Sequence, residues 1–91
     1  MTPQAIHRFR KTKRFEKEYN SLPSKIRDKF DFLMHKMQQS YNQSSLRIKI
    51  HDRNRKIWEA RIDIKYRFTF TLDGSTLELR RIGTHDIYRN P

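Results

Sequence analysis

Ile57-Trp58-Glu59-Ala60-Arg61-Ile62, then Tyr66-Arg67-Phe68-Thr69-Phe70, then Ile82-Gly83-Thr84-His85-Asp86-Ile87-Tyr88 decide how the rest of the chain is read. All three read as strands in which apolar residues alternate with cationic or polar ones, the period of a half-buried sheet. The last stretch carries a histidine just past its strand. A small sheet with arginines on one face and a histidine at its rim can hold a phosphate and move a proton beside it. That combination points toward RNA.

The same period extends in both directions. Upstream, Leu46, Ile48 and Ile50 alternate with Arg47, Lys49 and His51, and Asp52-Arg53-Asn54-Arg55 reads as a turn. Downstream, Asp73-Gly74 is predicted as a hairpin turn, and Leu77 and Leu79 continue the apolar face. At Arg80-Arg81-Ile82 the parity is ambiguous. A regular strand would point Arg81 with the leucines; a bulge or a strand end would release it.

Before residue 40 the period is helical. Ile6 to Phe9 is predicted as a short first strand. Thr12 is a good N-cap for a helix carrying Phe15, Tyr19 and Leu22. Pro23 suits the first turn of a second helix, whose stripe is Ile26, Phe30, Leu33 and Met37. Ser40 to Ser45 is polar and turn-like. The expected fold class is α+β: a small twisted, largely antiparallel sheet with an N-terminal helical hairpin on its apolar face. Trp58 and the phenylalanines are read as core. The opposite face is expected to present Arg47, Lys49, His51, Glu59, Arg61, Arg67 and Thr69.

The 91 residues suffice for one domain, spanning 1–91. The net charge of +11 implies nucleic acid, an anionic membrane or an acidic protein as partner. No apolar run is long enough to span a bilayer, and no signal-type apolar region follows Met1, so a membrane partner is not expected. The absence of cysteine favours a cytoplasmic location and excludes thiolate zinc sites. His7, His35, His51 and His85 are dispersed, so neither a metal nor another cofactor is expected. Residues 46–91 hold 8 Arg and 3 Lys, against 4 Arg and 6 Lys in residues 1–45. Guanidinium forks match phosphate oxygens, so the sheet half is the one suited to phosphate geometry.

In order and spacing these segments resemble the RelE/ParE toxin superfamily of toxin–antitoxin systems. The matching pieces are Phe15 to Leu22 with Pro23, Leu46-Arg47, Trp58 to Ile62, Tyr66-Arg67-Phe68 and Gly83 to Tyr88. The Gly-Thr-His ending is similar to the YafQ-like branch. The resemblance implies a RelE-like fold and a ribosome-dependent mRNA endonuclease, an mRNA interferase that inhibits translation. It also implies a cognate antitoxin as partner, beside mRNA and ribosomal RNA. ParE-like members share the fold but inhibit DNA gyrase by binding, so two further readings stay open: a gyrase inhibitor, and an RNA-binding relic without catalysis.

RNA cleavage by its own 2′-hydroxyl needs a base, a group that stabilises the extra phosphate charge, and an acid for the departing 5′ oxygen. Arg67 is expected to stabilise the phosphate; its alternative is a salt bridge to Glu59 or Glu78. His85 is the best acid–base candidate, because imidazole titrates near neutrality; its alternative is a surface or helix-packing histidine. Glu59 is either the complementary base or an orienting partner of Arg61 or Arg67. Arg47, Lys49, Arg61 and Arg81 are the expected RNA-backbone contacts. Tyr88 either stacks on a base or pins the C-terminal segment to the sheet. His51 either reaches the same face from a neighbouring strand or is a solvated edge residue, and Lys11, Lys13 and Arg14 either add contacts to ribosomal RNA or form a solvated helix start.

Overall fold

The computed structural model describes residues 6–39 and 47–91. The predicted polar loop at Ser40 to Ser45, and Leu46 after it, lie outside the described residues. The order is β1 (Arg8–Lys11), α1 (Lys13–Asn20), α2 (Ser24–Gln39), β2 (Lys49–Asp52), β3 (Ile57–Arg61), β4 (Arg67–Asp73) and β5 (Thr76–Gly83), followed by a 3-10 helix at His85–Arg89. The sheet order is β1-β5-β4-β3-β2. Among the described residues only β1 runs parallel to its neighbour; the other three pairings are antiparallel. The fold is thus the expected α+β arrangement, a mixed sheet with a helical hairpin.

Thr12 does what its position predicts. Its hydroxyl oxygen accepts from the Phe15 N–H at 3.0 Å and donates to the Arg80 carbonyl at 2.9 Å. One side chain therefore caps α1 and ties it to β5. Pro23 sits one residue earlier than predicted: it precedes α2, and its carbonyl accepts from the Ile26 and Arg27 N–H groups. Strand β1 also starts two residues later than predicted, because Phe9 must face Leu77 across the parallel pair.

The core lies between the helices and one sheet face. Phe15, Phe30 and Met37 from the helices meet Ala60, Phe68, Phe70, Leu77, Leu79 and Ile82 from the strands. Phe30 sets its ring edge-on to Phe68 with centres 5.1 Å apart, a favourable aromatic geometry. Trp58 packs against this cluster only partly buried. Phe32 departs from the expectation: it is exposed, with the Lys36 ammonium 5.1 Å from its ring centre.

Two irregularities aim the other face. Thr69 opposes Arg81 but Phe70 opposes Leu79, so β5 carries one extra residue, Arg80. This bulge resolves the parity problem and lets Leu77, Leu79 and Ile82 all be buried. A second register shift separates Ile50 and Asp52 on β2, at His51. In the β4–β5 hairpin the two connecting residues are Gly74 and Ser75 rather than Asp73 and Gly74, since Asp73 pairs with Thr76. Gly74 has φ of 61°, which a first central position in such a turn demands.

Candidate active site

The polar sheet face is not the open plane that the alternation implies. Beyond β5 the 3-10 helix and residues 90–91 fold back across it. Thr69 donates its hydroxyl to the Pro91 carbonyl at 3.0 Å, and Arg80 Nε donates to the same oxygen at 3.1 Å. Ile57 and Ile87 are buried outside the main core cluster. Gly83 makes room for this return: a Cβ there would stand 3.1 Å from the Ile87 Cγ2 methyl.

Glu59 is the central residue of the covered face. It sits on β3, level with Lys49 of β2 and Thr69 of β4. Its residue exposure is 6%, low for a carboxylate, so its partners decide its energy. His51 Nδ1 lies 2.6 Å from Glu59 Oε2, and Lys49 Nζ lies 3.5 Å from Oε1. His51 Nε2 faces the Tyr88 carbonyl at 3.4 Å, a long contact. A ring protonated at both nitrogens satisfies both acceptors. The Glu59–His51 contact fixes the orientation of the ring at the edge of the sheet.

Tyr88 joins this pair to the rim. His51 stacks on its ring with centres 4.6 Å apart, and His85 meets it edge-on at 5.1 Å. The Arg67 guanidinium carbon lies 6.0 Å from the same ring centre. Burial is the chief reason that the Tyr88 hydroxyl is pushed up to about 12, and the Glu59 charge adds to it. Although Glu59 and Arg67 both act on that hydroxyl, it makes no well-formed hydrogen bond, and neither does the buried Arg67 Nε. Arg67 NH2 donates to the Ile64 carbonyl at 3.3 Å.

The turn before Arg67 is stiff. Burial raises the Asp63 pKa, but the Tyr66 and Lys65 N–H groups that its carboxylate accepts, with Lys29 and Arg67 nearby, bring it below the usual value. Arg61 stands directly across from Arg67, exposed at the end of β3. Two like charges face to face are unfavourable without an anion between them.

The structure thus brings His85, Arg67, Glu59 and Tyr88 together, with Lys49 and Arg61 at the margins. It also brings in His51, which takes the first of its two expected places, on the same face from a neighbouring strand, rather than a solvated edge. Two residues are not brought in. Arg81 is engaged by Glu18 of α1, with NH2 to Oε2 at 2.6 Å and Nε to both carboxylate oxygens at 3.2 Å, and its side chain is 13% exposed. Arg47 does not alternate on a strand: it occupies a turn before β2 with φ of 54°, and its side chain is exposed. Arg67 forms no ion pair with Glu59 or Glu78 among the described residues.

No protein-family model and no curated protein sequence matches this chain. Solved structures do. The chain is similar to the RelB–RelE antitoxin–toxin complex of Methanococcus jannaschii, with a TM-score of 0.74 and 22% identity, covering 89% of this chain and 95% of that one. It is similar to the E. coli DinJ–YafQ toxin–antitoxin complex, with a TM-score of 0.73 and 13% identity over 89% and 94% of the two chains. The YoeB dimer of Staphylococcus aureus matches with a TM-score of 0.73 and 13% identity, covering 89% of this chain and 99% of that one. Two helices and a five-stranded mixed sheet in this order give the chain the RelE-like toxin fold.

Proposed function

We propose that this protein is the toxin of a toxin–antitoxin pair and cuts messenger RNA on the ribosome in the cytoplasm. The observation that carries the reading is the convergence of two imidazoles and one guanidinium on Tyr88, with the nearer imidazole held 2.6 Å from a buried carboxylate. Two imidazoles beside one guanidinium supply what general acid–base cleavage of RNA needs and binding alone does not.

The reaction follows from the roles open to these groups. His85, exposed at the rim, takes the proton from the 2′-hydroxyl. The 2′ oxygen attacks the adjacent phosphorus and the P–O5′ bond breaks. Arg67 stabilises the added charge on the phosphoryl oxygens through the charge of its guanidinium. His51 gives its Nε2 proton, held only by the long contact to the Tyr88 carbonyl, to the departing 5′ oxygen, and Glu59 orients the ring through Nδ1. The products are a 2′,3′-cyclic phosphate and a 5′-hydroxyl, and the two imidazoles exchange their protons with solvent. Lys49 and Arg61 flank the RNA backbone, while Tyr88 stays protonated at neutral pH and separates the imidazoles.

A cognate antitoxin is the protein partner of this reading, and an acidic segment over the Arg61 and Arg67 side of the face is its natural complement. RNA cleavage with and without ribosomes, run beside a gyrase supercoiling assay, tests the proposal. Cuts that appear only with ribosomes support it. Intact RNA with altered supercoiling replaces it with gyrase inhibition.

A further inference from the structure

The helix side of the same rim holds a second feature that the cluster around Tyr88 does not use. A groove of about 480 Å³ runs between α1, the turn into α2 and the ends of β4 and β5. Its apolar surface comes from Leu22, Pro23 and Ile82, and Tyr66 lines it with them. Arg14 and Lys17 border it; both are exposed, and neither forms an ion pair among the described residues. Glu18 also lines it, but its carboxylate is taken by Arg81, so the border stays cationic.

The groove and the cluster share their rim residue by residue. Tyr66 lines the groove and Arg67, the next residue, belongs to the cluster. Gly83 and Thr84 line the groove and His85 follows them into the cluster. The groove and the cluster therefore adjoin at two points of one rim, the start of β4 and the end of β5.

The geometry points to this groove as a nucleotide subsite: one nucleotide next to the scissile phosphate crosses the rim, its base on Tyr66 and the apolar floor, its phosphate toward Arg14 and Lys17. The inference rests on the proposed RNA substrate. Three features select a nucleotide over a protein segment. The volume falls within the roughly 300–1,000 Å³ of small-ligand sites. Tyr66 gives an aromatic platform for a base. Its lining residues Tyr66 and Thr84 are chain neighbours of Arg67 and His85, beside which a strand must pass to bring its phosphate to Arg67.

The test uses a tetranucleotide of 2′-O-methyl RNA, which lacks the nucleophile and survives the experiment. Methyl resonances of Leu22 and Ile82 report the groove, and the His85 ring reports the rim. Shifts at both sets are expected. Tyr66→Leu is expected to weaken binding on the order of tenfold. Arg14→Ala with Lys17→Ala, both on the exposed face of α1, is expected to lower the salt slope of binding by about one for each phosphate left without its cation. Shifts at His85 with silent Leu22 and Ile82 overturn the subsite and leave the endonuclease reading standing. Groove shifts in a protein that cuts no RNA keep the subsite and remove the endonuclease. Groove shifts with an acidic peptide but not with the tetranucleotide overturn the subsite and make the groove a protein-docking surface.

Discussion

His51 and Glu59 lie on neighbouring antiparallel strands, and a 2.6 Å contact joins Nδ1 of one to Oε2 of the other. The register shift on β2 places the ring, and burial of the carboxylate makes the contact count, since a charge this enclosed depends on its partners. His51→Gln is expected to reduce single-turnover cleavage by on the order of 10²–10⁴. Glu59→Gln is expected to fall short of that, because it removes orientation and leaves the ring. The double variant is expected to be no worse than His51→Gln alone, as for residues acting as one unit. Additive losses would mean that the two groups act separately.

The return of the C-terminal segment depends on a residue with no side chain. In Gly83→Ala the new methyl would meet Ile87 Cγ2 at 3.1 Å, so the 3-10 helix has to move. A destabilisation of about 1–3 kcal/mol is expected, the usual range for overpacking. Loss of the His51–Tyr88 stacking should accompany it, read from the imidazole resonances. An unchanged melting temperature with unchanged ring shifts would show that the segment is not seated on Gly83.

Tyr88 gives the fold an alkaline limit. Its hydroxyl is pushed from 10.0 to about 12 in the folded protein, so the unfolded chain loses that proton first. The stabilisation is complete below pH 10 and is lost as pH rises toward 12. Tyr88→Phe is expected to be neutral or slightly stabilising at pH 7, because the buried hydroxyl has no well-formed partner, and to flatten this alkaline loss. Denaturant midpoints of both proteins across this range check it. Parallel curves would place the alkaline loss elsewhere.

Much of the fold is legible in the sequence because periodicity encodes it. The 3.6-residue stripe of Ile26, Phe30, Leu33 and Met37 and the two-residue alternation of β3 and β4 leave few alternatives. The site was legible only in part. Arg67 and His85 stand out through the resemblance, and Glu59 through its place among the cations. His51 does not, because its approach to Glu59 depends on a bulge and on a segment folding back from beyond residue 84, and neither leaves a periodic signal. Arg81 shows the converse: an arginine beside a site looks like a ligand contact until Glu18, 63 residues away, proves to hold it. Long-range ion pairs have no signature in local pattern.

The charge of +11 sets the ionic-strength response. Ribosome and RNA binding is expected to weaken steeply with salt, as counterions displaced by the basic surface return. Lys49→Ala and Arg61→Ala are each expected to reduce the salt slope by about one, without the loss of cleavage rate that the imidazole variants show. A binding constant that is flat across a wide salt range would contradict a phosphate-dominated interface.

The most direct test of the central claim is single-turnover cleavage of ribosome-bound mRNA by the wild-type chain, Arg67→Ala and His85→Gln, with the product ends identified. The wild type is expected to leave a 2′,3′-cyclic phosphate and a 5′-hydroxyl. Arg67→Ala is expected to be slower by on the order of 10²–10³, and His85→Gln by on the order of 10²–10⁴, with ribosome binding retained in both. Cleavage by both variants at the wild-type rate, or no cleavage by any of the three proteins, would contradict the assignment of this face as an RNA-cutting site.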